Sequence, residues 1–147
     1  MVRYIFIQNF QVSEDTNSLS ATVSINKDFW VFKDHFPGFP IFPGALMVET
    51  LAQHCVALMM QKKDKESSVL PTLIQVDRAK FLEPVTPDCV LNISIKKEME
   101  MYPNFKFLGE IHVNDRKVCS ARLTMAFKDM GIGGGLDFMD FFLKGMS

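Results

Sequence analysis

Residues 44–61 hold no proline and no glycine after the first position, and they carry apolar groups around nearly the whole circumference of a helix. Leu46, Met47, Val48, Leu51, Ala52, Cys55, Val56 and Leu58 leave no polar face for water. A soluble helix of this kind has to be enclosed by the rest of its chain. At eighteen residues it is about 27 Å long, so whatever else the chain forms must be arranged around it. The exceptions to its apolar character then carry the information. Glu49 and Gln53 are four residues apart and share one face, one turn above the other. Buried acids are rare unless paired or used.

The approach to this helix is a stiff loop. Pro37, Pro40 and Pro43 alternate with Gly38 and Gly44, and each proline fixes its own φ while pushing the preceding residue out of the helical region. His35 stands just ahead of that rigid path. Gly44 opens the helix, where unpaired backbone N–H groups and the dipole favour negative charge. Taken singly, each residue has a bland reading: a structural loop histidine, an internal salt bridge, a rigid turn. Together, a histidine on a rigid lead-in and an acid on a buried helix form an acid/base pair in outline.

The remaining pattern is that of strands. Residues 18–26 alternate strictly, with Leu19, Ala21, Val23 and Ile25 against Ser18, Ser20, Thr22 and Ser24. That is the mark of a strand with one buried face. Residues 2–12, 71–81, 89–101, 105–113 and 117–128 are expected to be strands as well, with Asn114 and Asp115 making a turn. Residues 62–68, KKDKESS, form a polar exit from the helix and a solvated loop. One fully apolar helix and about six antiparallel strands have an economical solution, an α+β fold in which a curled sheet wraps the helix. A single sheet cannot cover the helix on every side, so a homodimer is expected.

Composition excludes several classes. A chain of 147 residues with 48% hydrophobic and 22% charged residues suits one soluble domain. A net charge of −1 gives no global attraction to nucleic acid or to a membrane surface. Cys55, Cys89 and Cys119 have neither metal-ligand spacing nor an even count for a disulfide framework. No signal peptide and no spanning helix is legible, so a reducing cytoplasm is the expected compartment, and the Asn92-Ile93-Ser94 sequon is chance. Residues 1–130 read as the domain. From residue 131, GIGGG reads as a linker, and Leu136, Met139, Phe142 and Leu143 fall on one stripe of a short amphipathic helix.

HFPGFPIFPGALMVETLAQ resembles the signature of the 3-hydroxyacyl-acyl carrier protein dehydratases, the FabZ and FabA family. That family has H-F-P-G-x-P, then P-G, then a helix with an acid fourteen residues after the histidine and a glutamine one turn on. His35, Glu49 and Gln53 have that spacing. A second stretch, KFLEPVTPDCVL at residues 80–91, is similar to the family's K-F-x-x-P-V-x-P-G-D-x-L, although Asp88 follows Pro87 directly and the glycine is missing. The family's amino-terminal H-R-x-P-F-L-L-x-D-R segment finds no counterpart before Asp28, and the resemblance is read over residues 28–128.

The resemblance implies the hotdog fold and a lyase that dehydrates 3-hydroxyacyl thioesters to enoyl thioesters, in fatty-acid or related lipid and polyene biosynthesis. His35 would be the base and Glu49 the acid, the glutamate marking the FabZ rather than the isomerising branch. Gly44 and Gln53 would serve substrate binding, through the Gly44 N–H on the thioester oxygen and Gln53 on Glu49. Enclosure of Glu49 by Leu46 and Val48 would favour its protonated, donating form. No metal or organic cofactor is implied. The partners would be acyl carrier protein and a second copy of the chain, with a trimer of dimers as a larger form, and the histidine of one subunit would meet the acid of the other. Lys33, Arg78, Lys80, Lys96 and Lys97 are candidates for docking the acidic carrier. Two rival readings use the same fold: an acyl thioesterase, whose carboxylate activates water, and a non-catalytic acyl-binding subunit.

Overall fold

Pro43, extended at φ −61° and ψ 139°, caps the central helix, and its carbonyl accepts from the N–H groups of both Leu46 and Met47. In the computed structural model, which describes residues 4–62 and 69–131, this helix is α1, Gly44–Met59. One 3-10 turn, Met60–Lys62, tightens its last carbonyls. A second 3-10 turn, Trp30–Lys33, precedes the proline loop. The six strands among the described residues are β1 (Phe10–Val12), β2 (Ser18–Ile25), β3 (Val69–Phe81), β4 (Cys89–Met101), β5 (Asn104–Val113) and β6 (Arg116–Asp129). They form one antiparallel sheet in the order β1-β2-β4-β5-β6-β3. α1 packs against β2 to β6, so the sheet wraps the helix in the hotdog arrangement.

Alternation sets which side of each strand meets the helix. Along β2, Leu19, Ala21, Val23 and Ile25 are buried and every residue between them is exposed. Leu91, Ile93 and Ile95 of β4 and Phe105, Phe107 and Ile111 of β5 continue the same inner face. β5 passes close to the helix at Gly109, where an added Cβ would stand 3.0 Å from the Leu51 side chain. The Asn114-Asp115 turn joins β5 to β6 with both residues at positive φ, 50° and 64°, the twist that favours tight hairpins. The polar exit after α1 and the amphipathic segment from residue 132 lie outside the described residues.

The first strand is shorter than expected. Residues 4–9 are not paired as a strand, and only Phe10–Val12 joins the sheet. The reason is a competing partner: Phe6 N–H donates to Gln53 Oε1 at 2.7 Å, and Tyr4 C=O accepts from Gln53 Nε2 at 2.8 Å. The backbone at Tyr4 and Phe6 is spent on a helix side chain, and of the main chain between them and β1 only the Asn9 carbonyl still bonds to β2, accepting from Thr22 N–H at 3.0 Å.

His54 lies fully buried on α1. Its Nδ1 is 2.7 Å from the Thr50 carbonyl and therefore donates, while Nε2 is buried without a partner among the described residues. Burial, opposed by the Thr50 hydrogen bond, pushes this imidazole from 6.5 down to about 4. Above pH 6.5 it is neutral in both the folded and the unfolded chain. Between 6.5 and 4 only the unfolded chain takes up the proton, so stability falls with pH by up to about 3 kcal/mol. Chemical-denaturant midpoints measured from pH 7 to pH 4 should therefore drop less steeply in His54→Leu than in the parent, and parallel curves would contradict this origin.

Candidate active site

The loop ahead of α1 is fixed mainly by its own backbone. His35 N–H donates to Val31 C=O, Ile41 N–H donates to His35 C=O, and Phe36 and Phe39 exchange a pair of bonds. Gly38 turns the chain between them at φ +77°, a conformation that favours glycine. Phe42 N–H then donates to Val85 C=O at 2.7 Å, tying the loop to the β3–β4 connection. The Phe42 ring is fully buried against Phe6, Phe29 and Phe32. A residue carried on this loop has little freedom.

That rigidity decides the chemistry of His35. Its Nδ1 is 2.9 Å from the Ile41 carbonyl, and a carbonyl only accepts, so Nδ1 carries the proton. In the neutral ring this places the lone pair on Nε2. The ring stacks on Phe36 at 4.0 Å between centroids, which fixes its plane.

Gly44, the first residue of α1, presents a backbone N–H with no partner among the described residues. The Phe81 ring at the end of β3 lies over it: a Cβ on Gly44 would meet ring atoms at 3.0 to 3.3 Å. Glycine thus lets an aromatic side chain and an open donor share one spot. Phe81 belongs to the second stretch of resemblance, and its packing on Gly44 brings the two stretches together. The missing glycine there is accommodated by Asp88, whose Oδ1 accepts from Lys27 N–H at 2.8 Å and ties the turn to the end of β2.

Glu49 is held from behind. Gln53 Nε2 donates to Glu49 Oε1 at 2.9 Å, one turn along the helix. The rest of the Gln53 amide is committed to Tyr4 and Phe6, and the side chain is only 4% exposed. Both donors and the oxygen of the Gln53 amide are thus engaged within the chain. The Tyr4 hydroxyl is raised above its ordinary range by burial first and the nearby Glu49 charge second. Enclosure of Glu49 is a different matter. The sequence suggests a carboxyl surrounded by apolar groups, but in the single chain Glu49 is half-buried. Ala45 is exposed and Val56 half-buried on the same side, because the sheet leaves this face of α1 open.

Within one chain, among the described residues, His35 and Glu49 share neither a hydrogen bond nor an ion pair. The five basic candidates also divide. Lys80 adjoins Phe81, Arg78 lies two residues earlier at a bulge in β3, and Lys33 closes the 3-10 turn before His35. Lys96 and Lys97 lie elsewhere: Lys97 borders the far end of α1 beside Leu58 and Met59 and pairs with Glu100 at 2.9 Å. Sequence reasoning missed the Ile41 carbonyl, the Phe81 ring and the Tyr4–Phe6 backbone. It also passed over His54, although a polar residue in an all-apolar helix is the same signal that singled out Glu49.

Comparison with known proteins identifies the family of the chain. A family model described as the FabA-like domain matches residues 5–122. The match reaches back well before Asp28, so the amino-terminal segment falls inside the family's span despite its unrecognised sequence. A 3-hydroxyacyl-[acyl-carrier-protein] dehydratase FabZ from Legionella pneumophila is 36% identical over 110 residues, covering 74% of this chain and 72% of that protein. The enzyme of the same name from Acidiphilium cryptum is 33% identical over 138 residues, covering 90% of this chain and 82% of its own length. Among solved structures, a chain of the dehydratase heterocomplex ApeI:P from Xenorhabdus doucetiae superposes with a TM-score of 0.68 at 19% identity, over 87% of this chain and 86% of that one. A Pseudomonas aeruginosa thioesterase mutant superposes at 0.64 with 18% identity, over 81% and 79%, so the fold alone does not separate the two chemistries. The family assignment rests on the sequence matches: the chain belongs to the FabA-like family of dehydratases.

Proposed function

We propose that the protein removes water from 3-hydroxyacyl groups carried as thioesters on acyl carrier protein, giving the trans-2-enoyl thioester in fatty-acid biosynthesis. His35 Nε2 takes the proton from the carbon beside the thioester carbonyl. The Gly44 N–H receives the carbonyl oxygen as it gains enolate character, at a helix start where such charge is favoured. Glu49 gives its proton to the hydroxyl, which leaves as water, and the carbon–carbon double bond closes. His35 ends protonated and Glu49 ionised, and proton exchange with solvent resets both. The reading asks for no metal and no organic cofactor. Its principal support is the fixed tautomer of His35, whose Nδ1 is occupied by Ile41 C=O at 2.9 Å, on the chain that also carries the Gln53-held acid.

A homodimer belongs to the same proposal. The Glu49 face of α1 is open, and β3 is an edge strand with Leu73, Ile74 and Val76 exposed. A second copy against that edge and face would cover both and enclose Glu49. Its His35 would approach the Glu49 of the first. Lys33, Arg78 and Lys80 are the basic side chains we assign to carrier docking. No described helix is long and apolar enough to cross a membrane, and Cys55, Cys89 and Cys119 are free thiols, which suits the cytoplasm we assign to it.

Purified protein mixed with a 3-hydroxyacyl thioester should produce enoyl absorbance without free thiol. Thiol in place of the enoyl signal would make it a thioesterase, and neither product would leave a binding subunit. Gly44→Ala should lower kcat/KM about tenfold or more while moving the melting temperature little, because Phe81 is 51% exposed and can tilt away from the new methyl. An unchanged rate would remove the Gly44–Phe81 contact from the site.

A further inference from the structure

The imidazole of His35 is held by one hydrogen bond and one ring. The bond, from Nδ1–H to Ile41 C=O at 2.9 Å, sets which nitrogen carries the proton. It tolerates a departure of about 30° from linearity before it weakens, whereas a catalytic side chain has to be held within about 10–20°. The freedom left over is a swing of the imidazole about Cβ–Cγ, a torsion with only a broad intrinsic preference. The Phe36 ring stands in the path of that swing: its plane lies 28° from that of the imidazole, with the centroids 4.0 Å apart. At that separation the two faces are in van der Waals contact, and tilting the imidazole drives one of its edges into the phenyl ring.

Neither the core nor the loop accounts for that ring. Phe36 is 49% exposed and stands outside the buried core, where the rings around Phe42 are packed 6.0 to 6.5 Å from it. The loop keeps its shape without the side chain, because Phe36 and Phe39 hold each other through main-chain atoms alone. We propose that Phe36 is a positioning residue: it keeps the His35 imidazole in the plane that aims Nε2 at the substrate carbon, an inference that rests on the dehydratase reading given above. Its ring acts through His35 and touches no reacting atom. A flat face restrains a flat ring across its whole width, whereas a branched aliphatic side chain meets it only at points. Tyrosine at position 36 would therefore do the same work, and leucine would not.

In full-length Phe36→Leu, kcat for dehydration should fall about tenfold, with KM within about twofold of the parent's and the melting temperature and oligomeric form unchanged. Phe36→Met, equally without a ring, is a second version of the same test should the leucine variant fold poorly. Phe36→Tyr should return to within about twofold of the parental rate. A further readout needs no substrate: NMR of histidine-15N-labelled protein at about pH 8, with the His35 signals identified by their loss in His35→Ala. Nδ1 and Nε2 should be well separated in the parent and in Phe36→Tyr, as an Nδ1–H tautomer requires. In Phe36→Leu the Nε2–H form should gain and the separation narrow. A parental kcat or a parental spectrum in the folded ringless variants overturns the proposal and leaves the dehydratase reading standing. A raised KM at unchanged kcat would mean that the ring touches substrate, and rate lost together with the oligomeric form would make it an interface residue. Either result, or a Phe36→Tyr no faster than Phe36→Leu, also overturns it. A parent that forms no enoyl product would end the dehydratase reading, while the spectra still decide whether Phe36 holds the imidazole.

Discussion

His35→Ala and Glu49→Gln should each lower kcat/KM for dehydration by about a thousandfold, within the range that a positioned acid or base supplies. Both substitutions are chosen to leave the frame standing. The His35 loop keeps its bonds from Ile41 N–H to His35 C=O and from Phe42 N–H to Val85 C=O, neither of which uses the imidazole. At position 49 an amide oxygen can still accept from Gln53 Nε2, as the carboxylate does at 2.9 Å, but an amide has no proton to give. Thermal unfolding should therefore move little while the rate collapses. A variant that kept a near-parental rate would lose its assigned role, and one that lost rate together with its melting transition would be reporting on the fold instead.

Mixing two inactive proteins should restore activity. If His35 and Glu49 of one site come from different chains, a dimer of one His35→Ala and one Glu49→Ala subunit has one site lacking both residues and one site intact. Random exchange makes half the dimers mixed, so activity should approach about a quarter of the parent's. Sites built within one chain give no recovery, because every site then lacks one residue. Differently tagged subunits, recovered together, establish that exchange has occurred. Exchange without activity would sink the shared-site arrangement. In its favour stand the half-buried Glu49 and the absence of any His35–Glu49 bond within one chain among the described residues.

Much of the fold was legible because one face of most strands is buried and the other wet. The expected range 89–101 coincides with β4, and the edges of β2, β5 and β6 shift by one residue. Periodicity reports burial, so it misleads where a segment is buried for another reason. Residues 4–7 are apolar and aromatic like a strand, but the backbone of Tyr4 and Phe6 bonds to Gln53 of the helix. The candidate site was legible where side-chain identity matters: His35, Glu49 and Gln53 stand out by type and spacing. What fixes His35 is a backbone carbonyl at Ile41, and any residue at position 41 would supply one. The open flank of Glu49 escaped for a different reason. Composition describes the neighbours along the helix and not the reach of the sheet around it.

The grip of Gln53 on residues 4–6 bears on how the two partners are free to diverge. Gln53 meets that segment only through main-chain atoms, the Phe6 N–H and the Tyr4 carbonyl. Substitutions at residues 4 and 5 can therefore accumulate without breaking the contact, whereas residue 6 is held by its buried ring against Phe29 and Phe42 as well, and proline there would also remove the N–H. Position 53 has no such latitude. Glutamate would set a carboxylate against both the Tyr4 carbonyl and Glu49, while methionine would strand a buried N–H and a buried carbonyl together. Sequence drift should accordingly be lopsided, with a variable amino terminus anchored to an unchanging glutamine. Such a terminus keeps its place in the molecule while shedding any signature by which its sequence would be known.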